Sequence, residues 1–241
     1  MHKVFIIIPT YCEAENIKKI IPEIENVFEK SNIKGAILIV DDNSPDGTID
    51  LIKSFSKKYE NLYLLLRPRK MGLGSAYRDG FNYILENFET EYIAEMDADG
   101  SHPPNFLPEM IYKLEKENAD VVIASRYVKG GKIYGWNLRR KITSIGANLL
   151  ARIFTRINIK DFTSGYRIYK TNVLKKINFS KASSSFAFQI EMVYNCIKNG
   201  FKIIEVPFTF IDRKIGKSKL KINEYFYFIF TLFKILLKLG E

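Results

Sequence analysis

The sequence is poor in cysteine. Its 241 residues include only Cys12 and Cys196, which are far apart in the chain. Two cysteines so placed form no disulfide framework and lack the close spacing of a metal site. This excludes a small domain held together by disulfide bonds, and it favours a reducing, cytosolic environment.

Signals for targeting and for separate domains are also missing. The first apolar run, residues 4–8, ends at Pro9. It is too short for the hydrophobic region of a signal peptide, and we predict it as the first strand. No internal repeat or low-complexity linker is visible. Hydrophobic residues make up 46% of the chain, and we predict one compact domain with a C-terminal extension.

The net charge of +10 is unevenly distributed along the chain. Residues 1–125 contain 14 Lys and Arg against 21 Asp and Glu, whereas residues 126–241 contain 23 against 6. The first half is therefore acidic, and the second is suited to binding anions. A solvated surface or nucleic-acid binding would also explain a basic half. The basic residues, however, are grouped around particular turns instead of along one helix.

Strand-like and helix-like segments alternate through the first half. Strands are predicted at residues 3–8, 35–40, 61–66, 91–96 and 120–125. The segments between them, residues 15–30, 50–59, 75–87 and 103–117, have helical character. This alternation predicts an α/β fold with a mostly parallel sheet and helices on both faces.

The second half is less regular. Residues 127–136 are basic and glycine-rich, which suggests a mobile loop. We predict helices at 139–153 and 186–199, and a turn into a short strand at 162–169. Residues 202–210 alternate like a strand, in which Pro207 indicates an edge position or a bend.

Three predicted strands end in polar turns. Asp97 and Asp99 follow one strand, Asp41 and Asp42 follow another, and residues 9–13 follow the first. Two neighbouring carboxylates are costly unless a cation accompanies them, and Mg²⁺ accepts carboxylates together with phosphate oxygens. Because open α/β sheets bind ligands at the carboxyl ends of their strands, we predict a metal and diphosphate site in one crevice.

Some residues of these turns also have structural explanations. Asp41 is suited to capping the following helix, and Asp46 and Thr48 are typical turn and cap residues. His102 is followed by two prolines and suggests a structural role. The Gly72-Leu73-Gly74 sequence fits either a phosphate loop or tight packing between elements.

Taken in order, the motifs resemble the inverting family-2 glycosyltransferases of GT-A fold, and among them the polyprenyl-phosphate (dolichyl-phosphate) mannose synthases. The resemblance extends from residue 3 to about residue 221. It is carried by residues 9–13 (Pro-Thr-Tyr-Cys-Glu), 41–48, 97–99 with 102–104, 125–127, 162–167 and 213–220.

The resemblance implies roles for individual residues. The positions that match the donor site of the family are Pro9, Tyr11, Glu13, Val40, Asp42, Asp97, Ala98, Asp99, Arg126, Arg213 and Lys219. Asp99 and Arg126 match catalytic positions, and Asp99 and Ser101 match the ligands of Mg²⁺ or Mn²⁺, although Ser101 replaces a glutamine that some relatives carry. Arg140 and Ser144 match the site of an acceptor phosphate.

One absence concerns the general base. Many relatives that glycosylate a hydroxyl carry two adjacent acidic residues near positions 186–191, where this chain has Phe-Ala-Phe-Gln-Ile-Glu with Gln189 nearest. A hydroxyl must lose its proton to react, whereas a phosphate monoester is already mostly dianionic at pH 7. The sequence therefore favours a phosphate acceptor that the basic half positions.

The C-terminal segment, residues 220–239, is rich in Phe, Ile and Leu. Its polar residues form one narrow stripe of Glu224, Tyr227, Thr231, Lys234 and Lys238. The apolar run is short for a helix that spans a membrane. We predict a GT-A domain over residues 1–219 and an amphipathic helix in the membrane interface over 220–241. A helix packed on the core of the domain is the alternative.

The expected activity is metal-dependent, inverting transfer of mannose from GDP-mannose to a polyprenyl phosphate. The enzyme would act peripherally at the cytoplasmic face of a membrane, possible partners including a membrane-anchor subunit. One alternative is another donor such as UDP-glucose, or a hydroxyl acceptor. Another is a non-catalytic protein that binds nucleotides or nucleic acid, but the paired carboxylates would repel a polyanion, and we expect no nucleic acid.

Overall fold

The computed structural model describes residues 1–213 and 222–237. The strands are β1 (His2–Thr10), β2 (Gly35–Asp41), β3 (Leu62–Leu66), β4 (Thr90–Glu95), β5 (Val121–Ser125), β6 (Lys132–Tyr134), β7 (Arg167–Lys170), β8 (Ile203–Pro207) and β9 (Thr209–Ile211). The helices are α1 (Ala14–Lys30), α2 (Thr48–Ser56), α3 (Leu73–Asn87), α4 (Leu107–Lys116), α5 (Leu138–Thr155), α6 (Thr171–Lys176), α7 (Phe188–Lys198) and α8 (Ile222–Leu236). A short 3₁₀ turn, Pro104–Phe106, precedes α4.

Seven strands form the central sheet in the order β3-β2-β1-β4-β7-β5-β8. All neighbouring pairs are parallel except those of β7, which is antiparallel to both β4 and β5. Because β1 lies between β2 and β4, the turns that follow these three strands are side by side. The three polar turns that the sequence predicted at the carboxyl ends of strands therefore share one edge of the sheet.

Helices cover both faces of the sheet, and the β1 sequence explains why. Phe5 and Ile7 belong to the core that α3, α7 and α8 cover. Val4, Ile6 and Ile8 belong to the core under α1 and α4. Successive side chains of a strand point to opposite faces, so a continuous apolar run fits a strand that is buried on both sides.

The second half differs from the sequence prediction in three places. The predicted loop at 127–136 contains β6, which pairs in parallel with β9. The predicted strand at 202–210 is two strands, because the chain leaves the edge strand β8 at Pro207 and continues as β9 in the small sheet. Helix α6 and the antiparallel orientation of β7 had no clear sequence signal. Long-range pairing decides the strands among these features.

Helix α8 turns much of its polar stripe toward the protein. Glu224 accepts a hydrogen bond from the Phe186 N–H (3.1 Å), Lys234 pairs with Glu191 (3.2 Å), and Thr231 is buried. One edge of the helix thus packs on the domain while most of its apolar surface stays exposed. Residues 220–221 and 238–241 of the predicted segment, with Lys238 of the stripe, lie outside the described residues. Within the described ranges, no helix is long and apolar enough to cross a membrane.

Candidate active site

Asp41 stabilises the turns on which the crevice is built. Its carboxylate accepts hydrogen bonds from Thr10 Oγ1 (2.6 Å), Ser44 N (2.8 Å) and Ser44 Oγ (2.7 Å), and it is fully buried. Ser44 Oγ also accepts from the Cys12 N–H (2.9 Å). Asp41 therefore ties the end of β1 to the turn after β2, which is a structural role.

Asp46 and Thr48 connect the same two turns from the other side. Thr48 Oγ1 donates to Asp46 Oδ1 (2.6 Å) and accepts from the Glu13 N–H (3.1 Å). Asp46 Oδ2 accepts from the Ala14 N–H (3.2 Å) at the start of α1. These contacts agree with the turn and cap role that the sequence suggested.

Asp42 points to a buried arginine that the sequence analysis missed. Its Oδ1 accepts from Arg67 Nε (2.6 Å) and lies 2.5 Å from Nη2. Arg67 also donates to Ser75 Oγ (2.8 Å) and Asp79 Oδ2 (3.0 Å). Burial raises the pKa of Asp42, and the Arg67 charge opposes that rise. The one available signal was that the basic residues Arg67, Arg69 and Lys70 also follow a strand.

The Gly72-Leu73-Gly74 segment packs tightly against a neighbouring loop. A Cβ on Gly74 would lie 2.2 Å from the Ser183 carbonyl oxygen, and one on Gly72 would lie 2.4 Å from that of Ser184. Gly74 N also donates to the Ser184 carbonyl (2.9 Å). This supports the packing explanation for the two glycines over a phosphate loop.

His102 fixes the backbone beside Asp97. The Asp97 N–H donates to His102 Nδ1 (2.9 Å), and the imidazole stacks on Tyr166 with 5.0 Å between centroids. Burial lowers the pKa of His102, so the neutral ring carries its proton on Nε2, which lies 3.9 Å from Asp97 Oδ2. The pKa of Asp97 is raised, because it is withdrawn from water and lies near Asp99.

Asp99 lies between a backbone donor and an arginine. Its Oδ1 accepts from the Ser101 N–H (3.0 Å), and Arg213 Nη1 is 3.1 Å from Oδ2. Burial alone would raise the pKa of Asp99, but the hydrogen bonds from Ser101 and the Arg213 charge lower it. Asp99 is therefore an ionised carboxylate that holds a cation partner.

The oxygen donors of this turn suit Mg²⁺ or Mn²⁺, which prefer carboxylate and hydroxyl ligands. Asp99 supplies a carboxylate, Asp97 lies beside it, and Ser101 is buried against Asp99. Among the described residues, no group of three or more His, Cys, Asp or Glu side chains could hold a metal ion by itself. The fit is thus to an ion that takes its other ligands from a bound diphosphate and water.

Arg126 is held by Asp161, another residue that the sequence analysis missed. Nε and Nη2 donate to the two oxygens of Asp161 (2.8 and 2.7 Å), and Nη2 also donates to Thr163 Oγ1 (2.7 Å). Asp161 raises the pKa of Arg126 although burial opposes this. Asp161 directly precedes the predicted 162–167 motif, and that position was the only signal for it.

Arg140 and Ser144, both on α5, lie near Arg126. The Trp136 ring centroid is 5.3 Å from the Arg126 guanidinium carbon and 4.2 Å from that of Arg140. Tyr127 donates to Ser144 Oγ (2.7 Å), and Arg140 pairs with Asp212 (2.9 Å). The structure therefore brings the predicted acceptor residues together with Arg126 in one cationic and aromatic cluster.

The other residues predicted for the donor site lie in different surroundings. Lys70 Nζ lies 4.5 Å from the Tyr11 ring centroid, and Glu13 accepts from Asn16 Nδ2 (2.6 Å). Pro9 pairs with Val40 in the sheet. Val40 and Ala98 are buried in the two core clusters, and their predicted place in the donor pocket stays a prediction. Lys219 lies outside the described residues.

The start of α7 presents no free carboxylate pair. Gln189 is buried and donates to Glu95 Oε2 (2.6 Å). Glu191 accepts from Ser183 N and pairs with Lys234. Burial raises the pKa of the fully buried Glu95 to about 7. In the part of the chain that the structure describes, the carboxylates near this position are thus held by hydrogen bonds and an ion pair within the protein.

The model for glycosyl transferase family 2 matches residues 5–178. The chain belongs to this family. A polyprenol monophosphomannose synthase from Mycolicibacterium smegmatis is 39% identical over 220 residues, 90% of this chain and 81% of that protein. An undecaprenyl-phosphate mannosyltransferase from Micrococcus luteus is 38% identical over 219 residues, 90% of this chain and 87% of that protein. The resemblance to polyprenyl-phosphate mannose synthases is confirmed, and the protein is a glycosyltransferase.

Solved structures confirm the GT-A type of fold. Glucosyl-3-phosphoglycerate synthase from Mycobacterium tuberculosis, in complex with Mn²⁺, UDP and glucosyl-3-phosphoglycerate, superposes with a TM-score of 0.69 at 14% identity, covering 98% of this chain and 79% of that one. A mannosyltransferase from Pyrobaculum calidifontis, in complex with GDP-Man and Mn²⁺, has a TM-score of 0.66 at 16% identity, covering 100% of this chain and 65% of that one.

Proposed function

We propose that this protein transfers mannose from GDP-mannose to a polyprenyl phosphate, giving polyprenyl-phosphate mannose with inversion at the anomeric carbon. The observation that carries the proposal is that the site has an acidic part and a separate cationic part. Asp97 and Asp99 lie at the end of the central strands, and the cluster of Arg126, Arg140 and Trp136 lies beyond them. The names of the two mannosyl-transferring relatives described above support the same reaction.

The donor would bind along the turns after β1, β2 and β4. Asp42, oriented by Arg67, would accept hydrogen bonds from the ribose or base. Asp99 would hold Mg²⁺ or Mn²⁺, with Ser101 beside it, and the ion would stabilise charge on the departing diphosphate. Arg213 lies next to Asp99 and would contact the same diphosphate, as would Lys219 from outside the described residues. The solved neighbours that contain Mn²⁺ with a nucleotide or GDP-Man support this arrangement.

The acceptor phosphate would bind at Arg140, Ser144 and Arg126. Guanidinium groups suit phosphate because their donors are paired and their charge is permanent. An ionised phosphate needs no general base. This agrees with the contacts of Glu95 and Glu191, which bond to Gln189 and Lys234 within the protein. Once positioned, the phosphate oxygen would attack the anomeric carbon opposite the leaving diphosphate.

The lipid acceptor implies contact with a membrane. We place the enzyme peripherally on the cytoplasmic face, with residues 1–219 as the catalytic domain and residues 220–241 as an interface helix. The exposed Phe226 and Phe230 of α8 support that placement, since aromatic residues are favoured at the surface of a bilayer. A separate membrane-anchor subunit stays a prediction.

The test is a transfer assay with radiolabelled GDP-mannose and polyprenyl phosphate, followed by extraction into organic solvent. We expect label in the organic phase, its loss with EDTA, and its recovery on addition of Mg²⁺ or Mn²⁺. Parallel reactions use UDP-glucose as the donor and the free polyprenol as the acceptor. Transfer from UDP-glucose alone, or to the polyprenol alone, would contradict the proposed substrates.

A further inference from the structure

Tyr127 contacts two residues of the proposed acceptor site. Its hydroxyl donates to Ser144 Oγ on α5 (2.7 Å), and its ring centroid lies 5.5 Å from the guanidinium carbon of Arg126. In the sequence Tyr127 only completes the 125–127 motif, and no role followed from it there. The structure shows that this half-buried side chain connects the loop after β5 to helix α5.

The direction of the hydrogen bond between Tyr127 and Ser144 decides what Ser144 can do. A serine hydroxyl has one proton to donate and two lone pairs with which to accept. Ser144 Oγ accepts from Tyr127, and among the described residues none accepts the proton of Ser144 Oγ itself. Burial raises the pKa of Tyr127, so the phenol keeps the proton that it donates. Ser144 thus has a proton available for a ligand.

A second set of contacts fixes Ser144 relative to Arg126. Asn148 lies one helical turn after Ser144, on the same side of α5. Its Nδ2 donates to the Ser144 carbonyl (2.9 Å) and to Thr163 Oγ1 (3.1 Å). Thr163 Oγ1 in turn accepts from Arg126 Nη2 (2.7 Å). Tyr127 therefore acts within a frame that already holds the serine and the arginine together.

The two arginines of the cluster also keep donors for a ligand. Nε and Nη2 of Arg126 are occupied within the protein, and its Nη1 has no partner among the residues that the structure describes. Arg140 uses Nη1 for Asp212. A phosphate monoester presents three acceptor oxygens and nearly two negative charges at pH 7. The remaining guanidinium donors and the proton of Ser144 suit such a group in number and in charge.

We propose that Tyr127 is a positioning residue for the acceptor phosphate. Its O–H donates to Ser144 Oγ, which directs the Ser144 proton to a phosphate oxygen, and its ring supports the guanidinium of Arg126. Accepting one hydrogen bond also makes the serine hydroxyl a stronger donor. This role rests on the proposed function in taking a phosphate monoester as the ligand, and it deepens that function by adding a residue to the acceptor site.

The test measures binding of farnesyl phosphate to the full chain in the absence of donor. Trp136 is the only tryptophan in the sequence, and its ring centroid lies 4.2 Å from the guanidinium carbon of Arg140. A phosphate bound at Arg140 should therefore change the tryptophan emission, and a fluorescence titration gives the Kd. Farnesol has the same hydrocarbon chain without the phosphate and is the control ligand.

Tyr127→Phe removes the hydroxyl and keeps the ring. A hydrogen bond between neutral groups changes an equilibrium constant by about twofold to tenfold, and one to a charged group by about tenfold or more. We expect Tyr127→Phe to raise the Kd of farnesyl phosphate by about twofold to tenfold, and Ser144→Ala to raise it by about tenfold or more. The Kd of farnesol should not change in either variant.

The double variant separates a positioning role from a merely structural one. In a chain that already carries Ser144→Ala, the hydroxyl of Tyr127 has no serine to orient, so adding Tyr127→Phe should change the Kd by less than about twofold. Tyr127→Leu also removes the ring beside Arg126 and should bind about twofold to fivefold more weakly than Tyr127→Phe. Tyr112→Phe, at an exposed position of α4, is the matched control and should bind like the natural chain.

Steady-state kinetics give an independent readout. Tyr127→Phe should raise the KM for polyprenyl phosphate and leave the KM for GDP-mannose unchanged. If the natural chain binds farnesyl phosphate but transfers no mannose, the proposed function is wrong while the role of Tyr127 in binding phosphate stands. Failure of the two inferences is therefore distinguishable.

Circular dichroism and thermal melting would show that each variant is folded. An unchanged Kd in Tyr127→Phe would overturn the proposal, as would full additivity of Tyr127→Phe and Ser144→Ala. Equal losses for farnesol and farnesyl phosphate would show that Tyr127 does not act on the phosphate. The proposal would also be wrong if the natural chain did not bind farnesyl phosphate.

Discussion

Arg213 Nη1 lies 3.1 Å from Asp99 Oδ2. We assign the Asp99 carboxylate as a ligand of the metal ion, and the arginine thus lies directly beside that ligand. Arg213 N also donates to Asp212 Oδ1 (3.0 Å), and Asp212 pairs with Arg140. Two ion pairs, joined by the backbone N–H of Arg213, therefore connect the proposed metal ligand to the proposed acceptor site. A bound cation would compete with Arg213 for Asp99, and a bound diphosphate would compete with Asp99 for Arg213.

Asp99→Asn tests the metal ligand. The amide keeps the shape of the side chain but loses the negative charge that a divalent ion needs. We expect kcat to fall by about a hundredfold or more, whereas the melting temperature stays close to that of the natural chain. Initial rates over a range of Mn²⁺ concentrations measure the effect. Asp50→Asn, at an exposed acidic position in the first turn of α2, is the matched control. Substantial activity of Asp99→Asn at saturating Mn²⁺ would exclude the metal role.

Arg140→Gln tests the acceptor site. The substitution removes a charge from the cluster but keeps hydrogen-bonding capacity, and a hydrogen bond to a charged group contributes about 1.5–3 kcal/mol. We expect the KM for polyprenyl phosphate to rise by about tenfold or more, with the KM for GDP-mannose little changed. Steady-state kinetics with each substrate varied in turn separate the two. Equal rises in both KM values would instead indicate a general disturbance through Asp212.

Arg67→Met tests the support of the donor site. The variant leaves Asp42 buried without its partner, and breaking a buried ion pair costs about 3 kcal/mol or more. We expect a corresponding loss in the free energy of unfolding in urea, and weaker binding of GDP in calorimetry. Adding Asp42→Asn to Arg67→Met removes the unpaired charge and should restore part of the stability but not the binding. No recovery in the double variant would contradict this account of the pair.

The stability of the protein should depend on pH through Glu95. Its pKa is raised to about 7 in the folded protein by burial, so the folded state holds a proton that the unfolded state releases at lower pH. The free energy of unfolding should therefore fall as the pH rises from about 4.5 to above 7. Glu95→Gln should remove this dependence and be more stable above pH 8 by on the order of 1–3 kcal/mol.

Urea unfolding at several pH values measures the effect, with Glu86→Gln on the exposed side of α3 as the control. The Glu86 variant should keep the pH dependence of the natural chain. A Glu95 variant that keeps the same dependence would show that another group is responsible.

The sequence alone predicted the strands and helices whose apolar residues recur at a regular short spacing. The five strands of the first half and the helices between them were correct, since apolar periodicity is encoded by residues a few positions apart. The meeting of three polar turns at one edge also followed, because parallel strands place their carboxyl ends together. Position in a motif was enough to bring Asp97, Asp99 and Arg126 into consideration.

The tertiary structure decided which neighbour each polar side chain contacts. Asp41 and Asp42 are adjacent, yet one closes a turn through Thr10 and the other pairs with Arg67. Asp161 likewise pairs with a residue far away in the sequence, Arg126, at a distance of 35 positions. No local pattern specifies such pairs, because they depend on how distant segments are brought together by the sheet.

The orientation of α8 shows the same division. Its sequence determined a helix with a narrow polar stripe and a broad apolar surface. Only packing decided that Glu224 and Thr231 face the protein and that the aromatic surface remains exposed beside α5. The physical reason is that a buried polar group must find a specific partner, and that partner is supplied by another part of the chain, whereas an apolar surface can be covered by any apolar neighbour.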